Sequence, residues 1–239
     1  MASDERRRSE LVTALGAVRA RIADACTEAG RDPRSVTLVA VTKTYPASDV
    51  ATLRKLGVKD VGESKDQEAR AKIAELGAGA GVRWHFVGGV QTKKAKKIAS
   101  YAFAVHSVDR LELANALGAA AKEERKKDDP LGVFVQLSLD GDPGRSGAVG
   151  DDLFRVADAV AGYSRLRLLG IMAVPPIEAD PEPAFARLAE VSAKLRRQHS
   201  DASAISAGMS SDLEMAIKHG ATHVRVGTAL LGDRPSFVR

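Results

Sequence analysis

Cysteine is almost absent from this chain, with Cys26 the only one in 239 residues. A lone thiol excludes a disulfide framework and a cysteine-rich zinc site, and such usage fits a reducing compartment. In its amphipathic N-terminal stretch, Cys26 reads as a small core residue. Aromatic residues make up only 4%, too few for the stacking platform on which single-stranded nucleic acids are held. No apolar run approaches the length that spans a bilayer. The opening MASDERRRSE is charged and has no apolar segment behind it, so it does not read as a secretory signal. The chain also has no HExxH, no GxGxxG after its first strand, no P-loop and no nucleophile elbow. His85, His106 and His219 are too scattered for a zinc site, so no metal is expected. His106 reads as a satisfied core histidine, and His219 as a helix C-terminus, where partial positive charge suits the dipole. The expectation is a cytoplasmic protein with neither membrane nor nucleic-acid partners.

The composition is that of a soluble globular protein, 44% hydrophobic and 28% charged. A net charge of +5 and a pI near 9.4 raise the question of a polyanionic partner. The densest basic run, TKKAKKIAS (92–100), answers it. Ala95, Ile98 and Ala99 share one helical face while Lys93, Lys94, Lys96 and Lys97 cover the others, which is a solvated helix. KEERKKDDP is balanced in charge and reads as a helix end and loop.

After an N-terminal helix over about residues 4–29, apolar runs alternate with amphipathic ones. VTLVAVTK, VKDVGE, VRWHFVG, AFAVHSV, LGVFVQLSL, LRLLGIMAV, ASAISAGM and THVRVG read as strands. Between them lie helices such as ASDVATLRKLG, capped by Ser48 or Asp49, and DRLELANALGAAAKEERKK, started by Asp109. Strands so continuously apolar have no wet face and belong in a parallel sheet covered by helices. Eight strand-helix units in a chain of this length predict a (β/α)8 TIM barrel with an extra N-terminal helix; a doubly wound open sheet is the alternative. There is no composition break, so residues 1–239 read as one domain, with residues 1–30 packing on the barrel.

A barrel directs attention to the C-terminal strand ends. The first strand runs straight into Lys43. A lysine just past a strand can simply reach water, but one held in an apolar mouth loses proton affinity and becomes an amine nucleophile. Whether Lys43 shares the face of Val39 and Val41 cannot be read from alternation, because both faces are apolar. Glu63 follows the second strand, Gly88 and Gly89 the third, Ser107 the fourth, and Met172 ends the sixth. GMSSDLEMAI joins the seventh strand to a helix through Gly208, Ser210 and Ser211, and RVGTALLG repeats the pattern with Gly227 and Thr228. Serine there can be an ordinary helix cap, yet loops after strands seven and eight of a barrel frequently form a phosphate cup, and two glycine-and-hydroxyl loops in those places favour that reading. An amine at strand one and a phosphate cup at strands seven and eight suit a phosphorylated aldehyde.

Taken in order, VAVTKTYP, VGESKDQEA, WHFVGGVQTKK, GIMAV, GMSSDLEMAI and RVGTALLG resemble the pyridoxal 5′-phosphate (PLP) homeostasis protein family, a relative of the N-terminal barrel of alanine racemase. The resemblance covers residues 36–232. It implies Lys43 as the Schiff-base lysine of PLP, Ser210, Gly227 and Thr228 as phosphate binders, and Arg225 as the arginine facing the pyridine nitrogen. It places His85 near the ring and Met172 on the floor of the site. A permanent cation at the ring nitrogen disfavours its protonation, and an unprotonated pyridine is a weaker electron sink. A salt bridge at the barrel mouth is the alternative role for Arg225. The chain departs from the family pattern at Ser64, where asparagine is usual, and at Lys65, where an aromatic is. It departs again at Gly89 in place of proline and at Arg145 in place of lysine. Against the family pattern, the Ser64 and Lys65 departures bear on a polar contact to the cofactor that the resemblance implies and on some packing beside it.

The resemblance implies a monomeric protein of PLP homeostasis that holds the cofactor as a lysine aldimine and passes it to apo PLP-dependent enzymes, without robust turnover. Alanine racemase needs a second domain that contributes a tyrosine, and no residues follow Arg239 to build one. A PLP-dependent amino-acid racemase or lyase is the alternative, with Tyr45 and His85 as candidate second bases. A cofactor-free Schiff-base aldolase on sugar phosphates is the third reading.

Overall fold

A computed structural model describes residues 2–77, 80–142, 144–176 and 180–233. The strands are β1 (Thr37–Val41), β2 (Asp60–Glu63), β3 (Arg83–Phe86), β4 (Ala104–Val108), β5 (Leu131–Gln136), β6 (Leu166–Met172), β7 (Ala204–Ser206) and β8 (His223–Val226). They close in sequence order into a parallel barrel, with β8 returning to β1 in the register Val39 to Arg225 and Ala40 to Val226. The open doubly wound sheet is thereby excluded. The interleaved helices are α2 (Ala47–Lys55), α3 (Asp66–Leu76), α4 (Ala95–Tyr101), α5 (Leu111–Glu124), α6 (Asp152–Ala161), α7 (Pro181–Gln198), α8 (Leu213–Lys218) and the short α9 (Thr228–Leu231), and α1 (Ala2–Glu28) precedes them all.

Leu11, Leu15, Val18, Ile22 and Cys26 recur at three- and four-residue steps along α1, and all are buried against Leu213, Ile217, Leu230 and Leu231. Cys26 is the core residue its surroundings suggested. Two ion pairs fix this helix to the barrel: Arg21 with Glu214 at 2.6 Å and Arg7 with the buried Asp49 at 2.7 Å. Asp49 is therefore no helix cap; Pro46 occupies the cap position of α2 and no side chain bonds there. Nor does Asp109 start α5, whose cap position is held by Arg110. In α4 the buried residues are Ala95, Ile98 and Ala99, while Lys96 reaches Glu123 at 2.7 Å, the solvated face expected of this basic run. Among the described residues no helix is long and apolar enough to cross a membrane.

The interior and exterior of the barrel separate cleanly by alternation. A Cβ on Gly62 would come within 3.3 Å of a methyl of both Val39 and Val41, so these three positions share the interior face. Ala104, Phe134 and Met172 cluster inside as well. The outward faces of the strands carry the large apolar layer under the helices, with Val105, Val133, Val135 and Ile171 all fully buried.

Candidate functional site

The turn that carries Lys43 is held from outside the barrel. Thr42 turns its hydroxyl outward to Glu63 Oε1 at 2.5 Å, just before the turn that carries Lys43 past the end of β1. Lys72 on α3 donates to Glu63 Oε1 at 2.6 Å, to the Thr42 carbonyl at 2.7 Å and to Glu68 Oε1 at 2.8 Å. Glu68 Oε1 also accepts the Thr44 N–H at 2.5 Å. Thr44 adopts φ of 73°, a left-handed conformation uncommon for a β-branched residue, so the clamp holds backbone strain beside Lys43. Glu63 has its pKa raised by burial, which outweighs the opposing effect of Lys72. Lys43 itself is half-buried. Lys72 gives its protons to three acceptors, so it is a structural cation and not a competing nucleophile. The clamp went unseen in the sequence, although Glu63, Glu68 and Lys72 are spaced to meet once the strand leads into a helix.

Beside Lys43, the ends of β7 and β8 form the second half of the mouth. Gly208 has φ of +90°, and a Cβ there would meet Ala216 Cβ at 2.7 Å, so the turn after β7 requires glycine. Ser210 and Ser211 precede α8 without capping it; the cap position belongs to Asp212, whose Oδ1 accepts the Met209 N–H at 2.5 Å. Ser210 Oγ instead accepts the Ala229 N–H of α9 at 3.2 Å, tying the two glycine-and-hydroxyl loops together. Among the described residues no acceptor takes its hydroxyl proton. Gly227 lies against Val41, whose carbonyl oxygen is 3.4 Å from the position of a Cβ on that glycine, so the β8 turn and the approach to Lys43 are neighbours.

Arg225 is 6% exposed and donates from Nη1 to Ser206 Oγ at 2.7 Å and from Nη2 to the Ala173 carbonyl at 3.1 Å. Burial lowers its pKa to about 10, opposed by the charge of Asp212. Among the described residues no carboxylate lies within salt-bridge distance of it, which removes the mouth salt bridge as its role. A buried cation with donors to spare calls for an electron-rich partner. Met172 is buried with Phe134 and Ala104 in the interior. His85 is 1% exposed and bonds Asp60 and His106 at 2.8 Å each, two side chains removed from Ser206. His106 is the satisfied core histidine the sequence suggested, bonded through both ring nitrogens and held neutral by burial.

At the opposite rim the β2 and β3 loops cross closely. A Cβ on Gly88 would lie 2.3 Å from the Ser64 carbonyl, and Ser107 donates to the Gly88 carbonyl at 2.5 Å. Ser64 is half-buried and placed beyond β2 on the interior alternation. Arg145 donates to the Val174 and Pro175 carbonyls at 2.9 and 3.1 Å and pairs with Asp140, stitching the loop after β5 to the end of β6. Pro143 of that loop is outside the described residues.

The residues at this mouth suit a phosphorylated pyridine aldehyde. They comprise an amine, two hydroxyls on glycine turns and a guanidinium without a carboxylate. Together the fold and the mouth define a barrel of the alanine racemase N-terminal-domain family, whose sequence model matches residues 14–235. The chain belongs more narrowly to the pyridoxal phosphate homeostasis proteins. It is 45% identical to the one from Mycobacterium tuberculosis, covering 95% of this chain and 94% of the relative, and 38% identical to that of Escherichia coli K12, covering 92% and 95%. Among solved structures it is similar to PipY of Synechococcus elongatus with PLP bound, at a TM-score of 0.76 and 31% identity, covering 88% of this chain and all of that one. Alanine racemase from Streptomyces coelicolor shares the fold at a TM-score of 0.70 and 20% identity, over 90% of this chain and 58% of that one.

Proposed function

We propose that this chain is a PLP-binding protein of PLP homeostasis, acting as one barrel domain that holds the cofactor through Lys43. The observation that carries the reading is the buried, carboxylate-free Arg225 beside the two glycine-and-hydroxyl turns, with the clamped Lys43 turn alongside. PLP supplies an aldehyde that captures amines and a pyridine that accepts electrons. Lys43 would hold the aldehyde carbon covalently through its side-chain nitrogen, with the carbonyl oxygen leaving as water. Ser210, Gly227 and Thr228 would hold the phosphate, whose charge is favoured by amides and hydroxyls at the strand ends. Arg225 would face the ring nitrogen and, as a cation, disfavour a proton there, which would limit carbanion chemistry. His85 and Met172 support the site from the interior, and Ser64 lines its β2 side.

The role as a carrier that delivers PLP to apo-enzymes, without robust turnover, has two supports. Its relatives are named homeostasis proteins. Both candidate second bases are committed: the Tyr45 hydroxyl donates to the Gly232 carbonyl at 2.6 Å, and His85 bonds Asp60 and His106. Two-sided proton exchange at a substrate carbon needs a second base at liberty. The test is a visible spectrum of protein incubated with PLP, followed by Cα proton-deuterium exchange on amino acids. An absorbance band lost in Lys43→Ala, with exchange no faster than free PLP, supports the carrier. Exchange well above that rate would move the protein to the racemase or lyase reading.

A further inference from the structure

Five buried side chains link the mouth of the barrel to its opposite end. Arg225 Nη1 donates to Ser206 Oγ at 2.7 Å; Ser206 Oγ is 2.8 Å from His106 Nδ1; His106 Nε2 is 2.8 Å from His85 Nδ1; and His85 Nε2 is 2.8 Å from Asp60 Oδ1. They come from β8, β7, β4, β3 and β2, and the most exposed of them is the 6% exposed Arg225. Asp60 is the first residue of β2 and borders a hollow of about 490 Å³ at the N-terminal end of the barrel. Arg83 meets its other oxygen there at 2.5 Å.

We propose that Asp60 is a positioning residue for Arg225, acting from the far end of the barrel by fixing the direction of every hydrogen bond between them. A carboxylate only accepts, so His85 must present Nε2–H to it. With one proton on that ring, His85 Nδ1 is an acceptor, and His106 must donate from Nε2. His106 Nδ1 is then an acceptor in turn, and Ser206 must donate to it. The lone pairs of Ser206 are left for Arg225, which only donates. Reversing any one link would turn two protons or two lone pairs toward each other somewhere in the chain.

The electrostatics agree with this ordering. Asp60 stays ionised, because bonds from His85 and Arg83 outweigh burial and lower its pKa. His106 stays neutral, chiefly through burial and also through the nearby Arg225 cation. His223 packs against both rings and is held down to about 4, chiefly by burial. Among the described residues Arg225 pairs with no carboxylate, and Ser206 and the Ala173 carbonyl are what aim its guanidinium.

This inference rests on the proposed function only for what Arg225 faces; the relay itself belongs to the cofactor-free protein. The experiment is therefore long-range proton–nitrogen NMR of the histidine rings in apoprotein at neutral pH. Wild type should show His85 and His106 as neutral Nε2–H tautomers. Asp60→Ala should leave both rings in mixed tautomers and shift the Arg225 side-chain resonances, whereas Arg83→Gln should leave the tautomers as they are. Asp60→Leu, similar in size but without an acceptor, serves if the alanine variant does not fold, and should likewise lose the single tautomer. In loaded protein, Asp60→Ala should retain PLP about tenfold less tightly, the loss of roughly one hydrogen bond to a charged group. An Nδ1–H or doubly protonated ring in wild type overturns the proposal. So do tautomers and Arg225 resonances that ignore the loss of Asp60. Correct tautomers in a protein that never develops a PLP band would leave the relay standing and remove the proposed function.

Discussion

Lys72→Met is the most informative single perturbation of the mouth. The substitution keeps most of the side-chain volume but removes an ammonium bonded to Glu63, Glu68 and the Thr42 carbonyl. Breaking a buried ion pair by deleting one partner typically costs about 3–5 kcal/mol, because the other charge is stranded. Domains of this kind carry about 5–15 kcal/mol in total, so the variant should remain folded with a clearly lower urea midpoint. The loss should depend on pH. Glu63 already has its pKa raised above 4.5 by burial, and without Lys72 it must rise further. A raised carboxyl contributes stability below its unfolded pKa and loses it as pH rises through the folded value. The gap between wild type and variant should thus be small near pH 4.5 and grow toward neutrality. Adding Glu63→Gln removes the stranded charge and should recover part of the loss. Urea titrations of the three proteins across this range are the assay. A gap under about 0.5 kcal/mol at pH 7, or one that does not change with pH, refutes the clamp; that figure is the usual scale for surface substitutions.

Three further outcomes are expected. Ser210→Ala should weaken PLP retention by about 0.5–1.5 kcal/mol, one hydroxyl bond's share, and unchanged affinity in an equilibrium titration would leave Ser210 as no more than the tie to Ala229. Leu15→Ala, at a buried position of α1, should lower stability by about 2–5 kcal/mol in urea denaturation; a change below 1 kcal/mol would mean that α1 is not docked as described. His223, held down to about 4 from 6.5, is a buried base with a depressed pKa, so it stabilises above 6.5 and the contribution fades as pH falls toward 4. The urea midpoint should decline over that window, and His223→Gln should flatten the decline; an unaltered slope would assign the acid sensitivity elsewhere.

Much of the barrel was legible because apolar runs alternate with helices that have a one-sided stripe. Cys26 in α1 and Ala95, Ile98 and Ala99 in α4 lie where those stripes put them. The ends of elements were harder to read. Asp49 looks like a cap by sequence but is drawn into an ion pair by Arg7, forty-two positions away. Ser210 looks like the cap of its own helix, yet it caps α9 across the mouth. The interior face of β1 could not be read from two apolar faces, and it became visible only through the approach of Val39 and Val41 to Gly62. The Asp60 relay draws one residue from each of five strands. Such a relay leaves no local pattern, since only closure of the sheet makes these residues neighbours.

The central claim is that Lys43 is the amine that holds PLP. Borohydride reduction of PLP-loaded protein, followed by peptide mapping, tests it most directly. The account predicts a single pyridoxyl adduct on the peptide containing Lys43 and none in Lys43→Ala; an adduct on Lys72 or on the lysines of α4, with Lys43 unmodified, would contradict it.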